Sequence, residues 1–147
     1  MLDKLQADLK QAQLSYDAVK VSTLRLLLSE IKNAEIAKGG ELSGEDVVSV
    51  IQKEVKKRKE AAAGFRSGER EESALKEESE LKILKEYLPA QMSTEELTKV
   101  VEQTITEVGA SSIQDMGKVI GAVMGQVKGR SDGGTVSALV KEKLSND

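Results

Sequence analysis

The stretch Ser93-Thr94-Glu95-Glu96-Leu97-Thr98-Lys99-Val100-Val101-Glu102-Gln103-Thr104-Ile105-Thr106-Glu107-Val108-Gly109 decides the fold class. Ser93 followed three residues later by Glu96 is a capping box, in which two side chains satisfy backbone N–H groups that a helix start leaves open. Leu97, Val100, Val101, Ile105 and Val108 then recur at spacings of three and four, the signature of one helical face. Gly109 follows as the residue on which a helix can turn left-handed and stop. Nothing in the stretch alternates as a half-buried strand does.

The same period runs nearly end to end, so the fold class is all-α. Leu2, Leu5, Leu9, Ala12 and Tyr16 mark a first helix, and Leu24, Leu27, Leu28 and Ile31 a second that stops at Gly39-Gly40. Ser43 and Asp46 open a third helix with Val47, Val50, Ile51, Val55 and Ala62 along its stripe, running to Phe65. A fourth is expected from about Ser73 to Leu88, ended by Pro89, which fixes its own φ and disfavours helix in the residue before it. After the capped fifth helix, a sixth is expected over Ile113 to Val127 and a seventh after Asp132. The expectation is an N-terminal domain of about four helices, residues 1–90, and a small three-helix domain, residues 91–147.

Composition narrows the chemistry. The 147 residues contain no Cys and no His, which excludes disulfides, thiolate and imidazole metal sites, Cys nucleophiles and the Ser-His-Asp triad. Only Tyr16, Phe65 and Tyr87 are aromatic, so aliphatic packing must carry the core. A net charge of −3 leaves no bulk attraction for polyanions, and any such partner needs a local patch. No segment approaches the roughly 18 consecutive apolar residues of a membrane span, and Met1-Leu2-Asp3-Lys4-Leu5-Gln6 lacks a signal-peptide core. These features read as a cytoplasmic protein with no membrane partner.

Three groups of residues break the bland pattern. Glu54 and Arg58 fall inside the apolar stripe of the third helix, and Glu80 shares a face with Leu84 and Tyr87. Buried charge is costly unless paired, so an ion-pair network among Glu54, Arg58 and Glu80 is expected, fixing helix register; a catalytic carboxylate is the competing reading. Lys53, Lys56, Lys57, Arg58 and Lys59 give the same helix a basic face, which acids at 69, 71, 72, 77 and 78 balance.

The third group is Asp115-Met116-Gly117-Lys118-Val119-Ile120-Gly121-Ala122-Val123-Met124-Gly125. Three glycines four apart put about 3 kcal/mol of helix-destabilising propensity into one short element. They build a bare ridge on which another backbone can approach. Placing the core face on Met116, Ile120, Val123 and Val127 makes the ridge border that face, with Lys118 along its edge. The ridge suits a sugar-phosphate backbone or a partner helix; tight packing by the fifth or seventh helix of the same chain is the commoner use of such a stripe. Lys128-Gly129-Arg130-Ser131-Asp132-Gly133-Gly134 follows, a cationic loop entering a helix N-terminus, where an anion or the Asp132 side chain can take the open N–H groups. Gly117-Lys118 is not a P-loop, since Val119 replaces Ser or Thr and Ser112 stands where the first glycine is required.

Tyr87-Leu88-Pro89-Ala90-Gln91-Met92-Ser93, Asp115-Met116-Gly117-Lys118-Val119-Ile120-Gly121 and Lys128-Gly129-Arg130-Ser131-Asp132-Gly133, in this order and spacing, resemble the GatB/YqeY family over nearly the whole chain. The resemblance is to a stand-alone YqeY-like protein, whose small second domain is similar to the tail of the B subunit of glutamine-dependent aspartyl/glutamyl-tRNA amidotransferase. It implies binding of tRNA or other structured RNA, weak and salt-sensitive, through Gly117, Lys118, Gly121, Lys128, Gly129 and Arg130, with a log–log salt slope of roughly −2 to −3 for three cations. It also implies an amidotransferase or synthetase as a possible protein partner, and no cofactor. Gly125-Gln126 stands where many relatives have Pro-Lys, so a helix stop and a cation are absent here. The family is associated with carbon–nitrogen ligase chemistry using glutamine as amide donor, but this chain shows neither a Cys glutaminase centre nor an amidase-like nucleophile region. The expectation is therefore a non-catalytic RNA-binding accessory protein, with a protein-interaction module and a C–N-bond enzyme as the alternatives.

Overall fold

The computed structural model describes residues 1–145. Seven α-helices account for most of them: α1 (Leu2–Leu14), α2 (Ala18–Lys38), α3 (Gly44–Ser67), α4 (Glu71–Lys85), α5 (Thr94–Val108), α6 (Met116–Val127) and α7 (Gly133–Ser145), with a 3₁₀ turn at Ile113–Asp115 leading into α6. No strand occurs among the described residues. The chain divides into two compact units, Met1–Leu88 and Pro89–Asp147.

In the first unit α3 and α4 form a hairpin, and α2 packs on α1, α3 and α4. Its core is aliphatic apart from Tyr87: Leu5, Leu24, Leu27, Ile31, Val47, Ile51, Val55 and Leu84 are buried around that ring. The helix starts follow the capping signals. Ser43 accepts from the Asp46 N–H at 3.1 Å while Asp46 accepts from the Ser43 N–H at 2.9 Å. Gly39 closes α2 at φ +81, the left-handed conformation that a Cβ disfavours.

Two boundaries differ from the sequence expectation. α4 stops at Lys85 rather than Leu88, because Glu86, Tyr87 and Leu88 donate to carbonyls three residues back, tightening the chain before Pro89 can act. Tyr16 is not on the face of α1; the helix ends at Leu14, and Tyr16 sits in the connecting turn at φ +58, 93 % exposed.

The second unit is a three-helix packing of α6 on α7 and α5. Leu97, Val101, Val119, Val123, Val127, Val136, Val140 and Leu144 form its buried core. Burying one such aliphatic side chain contributes about 1.5–3 kcal/mol, so a core this small needs its polar fittings to be in order. The Ser93–Glu96 box forms at 3.1 Å in both directions, and Gly109 closes α5 at φ +68.

Candidate nucleic-acid interface on the second unit

α6 presents two stripes with the same period. Val119, Val123 and Val127 are fully buried against α5 and α7, while Gly117, Gly121 and Gly125, each two residues earlier, are exposed. Two residues are about 200° of helical rotation, so the glycines lie on the far side from the core. The sequence expectation that the ridge borders the core face is corrected here. Met116, Ile120 and Met124 are only partly buried, and the centre of the packed face lies at Val119 and Val123 instead.

The ridge is not used for packing within the chain. A Cβ built on Gly117, Gly121 or Gly125 meets nothing within 4 Å beyond the helix's own adjacent backbone. Neither α5 nor α7 exploits the missing side chains, and the helix carries their propensity cost with no internal contact in return. Lys118 is exposed next to Gly117. It lies within Coulombic range of Asp115, whose carboxyl is held below the ordinary range chiefly by N–H donation from Ser111 and Ser112 at 3.0 and 3.4 Å.

α6 runs on through Gly125-Gln126 to Val127. The Gln126 amide uses its place to donate to Thr104 Oγ1 at 2.9 Å, and the buried Thr104 hydroxyl donates in turn to the Val100 carbonyl at 2.7 Å. Lys128 then caps α6 in the left-handed conformation, φ +40 and ψ +57, with its side chain exposed. The backbone of a non-glycine residue there costs on the order of 1 kcal/mol relative to glycine.

Gly129 and Arg130 also make bonds within the chain. Gly129 is buried at φ +84, and its carbonyl accepts from the Gln91 amide at 3.2 Å. Arg130 donates from Nε to the Ala90 carbonyl at 3.0 Å, its Nη2 lies 3.9 Å from Glu96, and its own carbonyl accepts from the Met92 N–H at 2.9 Å. Together these bonds clip residues 89–92 onto the loop between α6 and α7. Gln91 and Glu96 were missed as loop partners on sequence grounds. The signal was present for Gln91, which stands inside the Tyr87–Ser93 motif. Asp132 takes the N-cap of α7, accepting from the Thr135 N–H at 2.6 Å. The first N–H groups of that helix therefore already face a carboxylate.

In the first unit the structure brings Glu54, Arg58 and Glu80 together and adds Glu77. Arg58 Nε lies 3.1 Å from Glu80 and 3.6 Å from Glu77, Nη2 is 3.8 Å from Glu54, and Lys57 Nζ reaches Glu54 at 3.0 Å. Glu54 is 3 % exposed. Glu77 is one turn before Glu80 on the same face of α4, which is how it joins them. Arg58 Nε and Glu77 Oε2 are buried without a hydrogen-bond partner, so their attraction is Coulombic rather than directed. The basic row of α3 behaves as a solvated face: Lys53, Lys56, Lys57 and Lys59 are exposed and Arg58 turns inward. No group of three or more Asp and Glu suited to a metal ion occurs among the described residues.

Fold and site together define a helical protein of two small units, the second carrying an open glycine face on α6. The chain belongs to the Yqey-like protein family, whose profile matches residues 2–144. It is 31 % identical over 97 % of its length to a protein of Pyrenophora tritici-repentis named altered inheritance of mitochondria protein 41, mitochondrial, covering 80 % of that protein. Proteins of the same name from Vanderwaltozyma polyspora and Saccharomyces cerevisiae are 36 % and 29 % identical, over 71 % and 86 % of this chain and 58 % and 70 % of their own lengths.

These names overturn the cytoplasmic expectation. The relatives are named as mitochondrial proteins. The residues used for that expectation could not decide it, because a water-soluble helical surface suits any aqueous compartment. No helix of the described residues is long and apolar enough to cross a membrane.

Proposed function

We propose that the chain is a non-catalytic accessory protein that binds the backbone of folded RNA, tRNA above all, across the open face of α6, and that its second unit is the counterpart of the amidotransferase tail which it resembles. The observation that carries this reading is the emptiness in front of Gly117, Gly121 and Gly125. Three helix-weakening residues with no internal use leave room for an external main chain to lie close. Lys118 at one end of the face and Lys128 at the other, about 15 Å along the helix, supply the cations.

Arg130 is withdrawn from the RNA-facing set and Gly129 is given a structural role, since both are committed to residues 90–92. With Lys118 and Lys128 as the phosphate contacts, the expected log–log salt slope is roughly −1.4 to −1.8. Phosphate and shape contacts dominate over base reading on a surface of this kind.

The test is a titration of labelled tRNA at two salt concentrations against the wild type, Gly121→Leu, and a Lys118→Ala, Lys128→Ala double variant. The expected result is loss of binding on filling the ridge and a shallower salt dependence in the double variant. Equal binding by all three proteins removes the proposal. A partner helix is the second reading, favoured by the same bare face: Gly121→Leu then abolishes capture of an amidotransferase or synthetase, ribonuclease leaves it intact, and the lysine changes matter little.

A further inference from the structure

We propose that two copies of this chain pair weakly and in parallel through the outer face of α2. Among the described residues eight large apolar side chains stand exposed, and five of them, Leu14, Tyr16, Val19, Leu26 and Ile36, fall between the end of α1 and the end of α2. Val19, Leu26 and Ile36 are 41 %, 44 % and 70 % exposed, on a helix whose other side buries Leu24, Leu27 and Ile31.

The outward row is regular. Val19, Ser22, Leu26, Ser29, Asn33 and Ile36 are all exposed and step by three, four, three, four and three residues. That is the a and d spacing of a heptad, the period that keeps one seam facing a second helix. The row lies away from the chain's own core, so the pattern is not accounted for by internal packing.

The flanking charges choose the occupant and its direction. Arg25 and Lys32 border one side of the row, and Glu30 borders the other. In a parallel, in-register pair the residue just before the seam faces the residue five positions further along the second copy. Arg25 of each copy then meets Glu30 of the other, twice by symmetry. An antiparallel pair sets Arg25 against Lys32 and is repelled. A uniformly acidic foreign helix would be opposed by Glu30, whereas self-pairing matches Arg25 with Glu30 twice and sets Lys32, which lies 3.8 Å from Glu35 of its own chain, opposite the neutral Ala37. Glu30 is also within Coulombic range of Lys57 of its own chain. Asn33 falls at an a position, where two facing amides hydrogen-bond and favour a two-stranded, in-register arrangement.

Half of the row is Ser or Asn, so the contact is small. An area near the low end of specific interfaces, about 1,000 Å² in total, is expected, with a dissociation constant on the order of 100 µM.

Sedimentation velocity of the full chain from about 10 µM to about 1 mM tests it. The weight-average mass should rise toward the dimer, and Asn33→Leu should shift the midpoint at least about tenfold lower by replacing a polar seam residue with an apolar one. Leu26→Glu should remove the rise with helicity unchanged. Arg25→Glu should weaken it, and Arg25→Glu with Glu30→Arg should restore it. Because the chain has no cysteine, Ser22→Cys should form a disulfide-linked dimer under mild oxidant, since only a parallel register puts residue 22 beside its own counterpart. Wild type and Asn33→Leu both monomeric across the range, a dimer indifferent to Leu26→Glu, or no Ser22→Cys cross-link in a sample that does dimerise would each overturn the proposal.

Discussion

Tyr87 donates its hydroxyl proton to the Asp8 carboxylate at 2.5 Å, joining the end of the first unit's last helical segment to α1 across 79 residues of sequence. The Lys4 ammonium lies 4.7 Å from the centre of the same ring and 3.5 Å from the same carboxylate, so one cation serves both members. Hydrogen bonding from Tyr87, followed by the charge of Lys4, holds the Asp8 carboxyl below its ordinary value, while burial and the Asp8 partner raise the Tyr87 hydroxyl.

Tyr87→Phe should lower stability to urea by about 1–2 kcal/mol, because the ring's packing is kept and a charge-assisted bond is lost. The deficit should depend on pH. A depressed carboxyl stabilises the fold above its unfolded value, about 3.9, and that contribution disappears as pH falls through the lower folded value. Wild type and variant should therefore converge as pH falls from neutrality into the acid range below the ordinary carboxylate value, and urea melts at pH 7 and at a series of descending pH values check it.

Arg58 is the cation that three buried or half-buried carboxylates share, and its removal leaves Glu77 and Glu80 unmatched while Glu54 keeps Lys57. Arg58→Ala should cost about 3–5 kcal/mol, far more than a surface ion pair. Glu54, Glu77 and Glu80 changed together with Arg58 to apolar residues of similar volume should recover most of that loss. Thermal melts of the two variants measure the difference.

Gly121 lies in the interior of α6 with open space before it and no positive φ. Gly121→Ala should therefore raise stability by about 0.5–1 kcal/mol, through helix propensity and a less flexible unfolded chain. A glycine kept for internal packing would give the opposite sign. Chemical denaturation of the single variant decides it.

Lys128 occupies a backbone conformation suited to glycine. Lys128→Gly should relieve the left-handed backbone strain and weaken the RNA binding proposed above. Stability that rises while RNA binding stays unchanged would show the lysine to be dispensable to the interface.

Much of the fold was legible because its signals are local. Ser43–Asp46, Ser93–Glu96, Gly39 and Gly109 each fix a helix end through bonds to residues three or four positions away. Glu54 and Arg58 were legible for the same reason, standing at core positions of their own helix. Glu77 and Asp8 were not, since their partners are set by how helices cross. The α6 ridge was misplaced by the choice of core face: Met116, Ile120, Val123 and Val127 are plausible on hydrophobicity, but α5 and α7 select Val119, Val123 and Val127. The bond from Arg130 to the Ala90 carbonyl was not legible, because sequence records a cation in a loop without recording the carbonyl beside it.

The bonds from Gln91 and Met92 to residues 129 and 130, and from Arg130 to Ala90, make the stretch before α5 a brace instead of a tether. Any excised version of the second half should thus begin no later than Pro89. A fragment trimmed to Ser93 would keep its three rods yet lose the splint that shapes the bend beside Lys128, and a loss of RNA affinity in such a fragment would be wrongly charged to the missing first half.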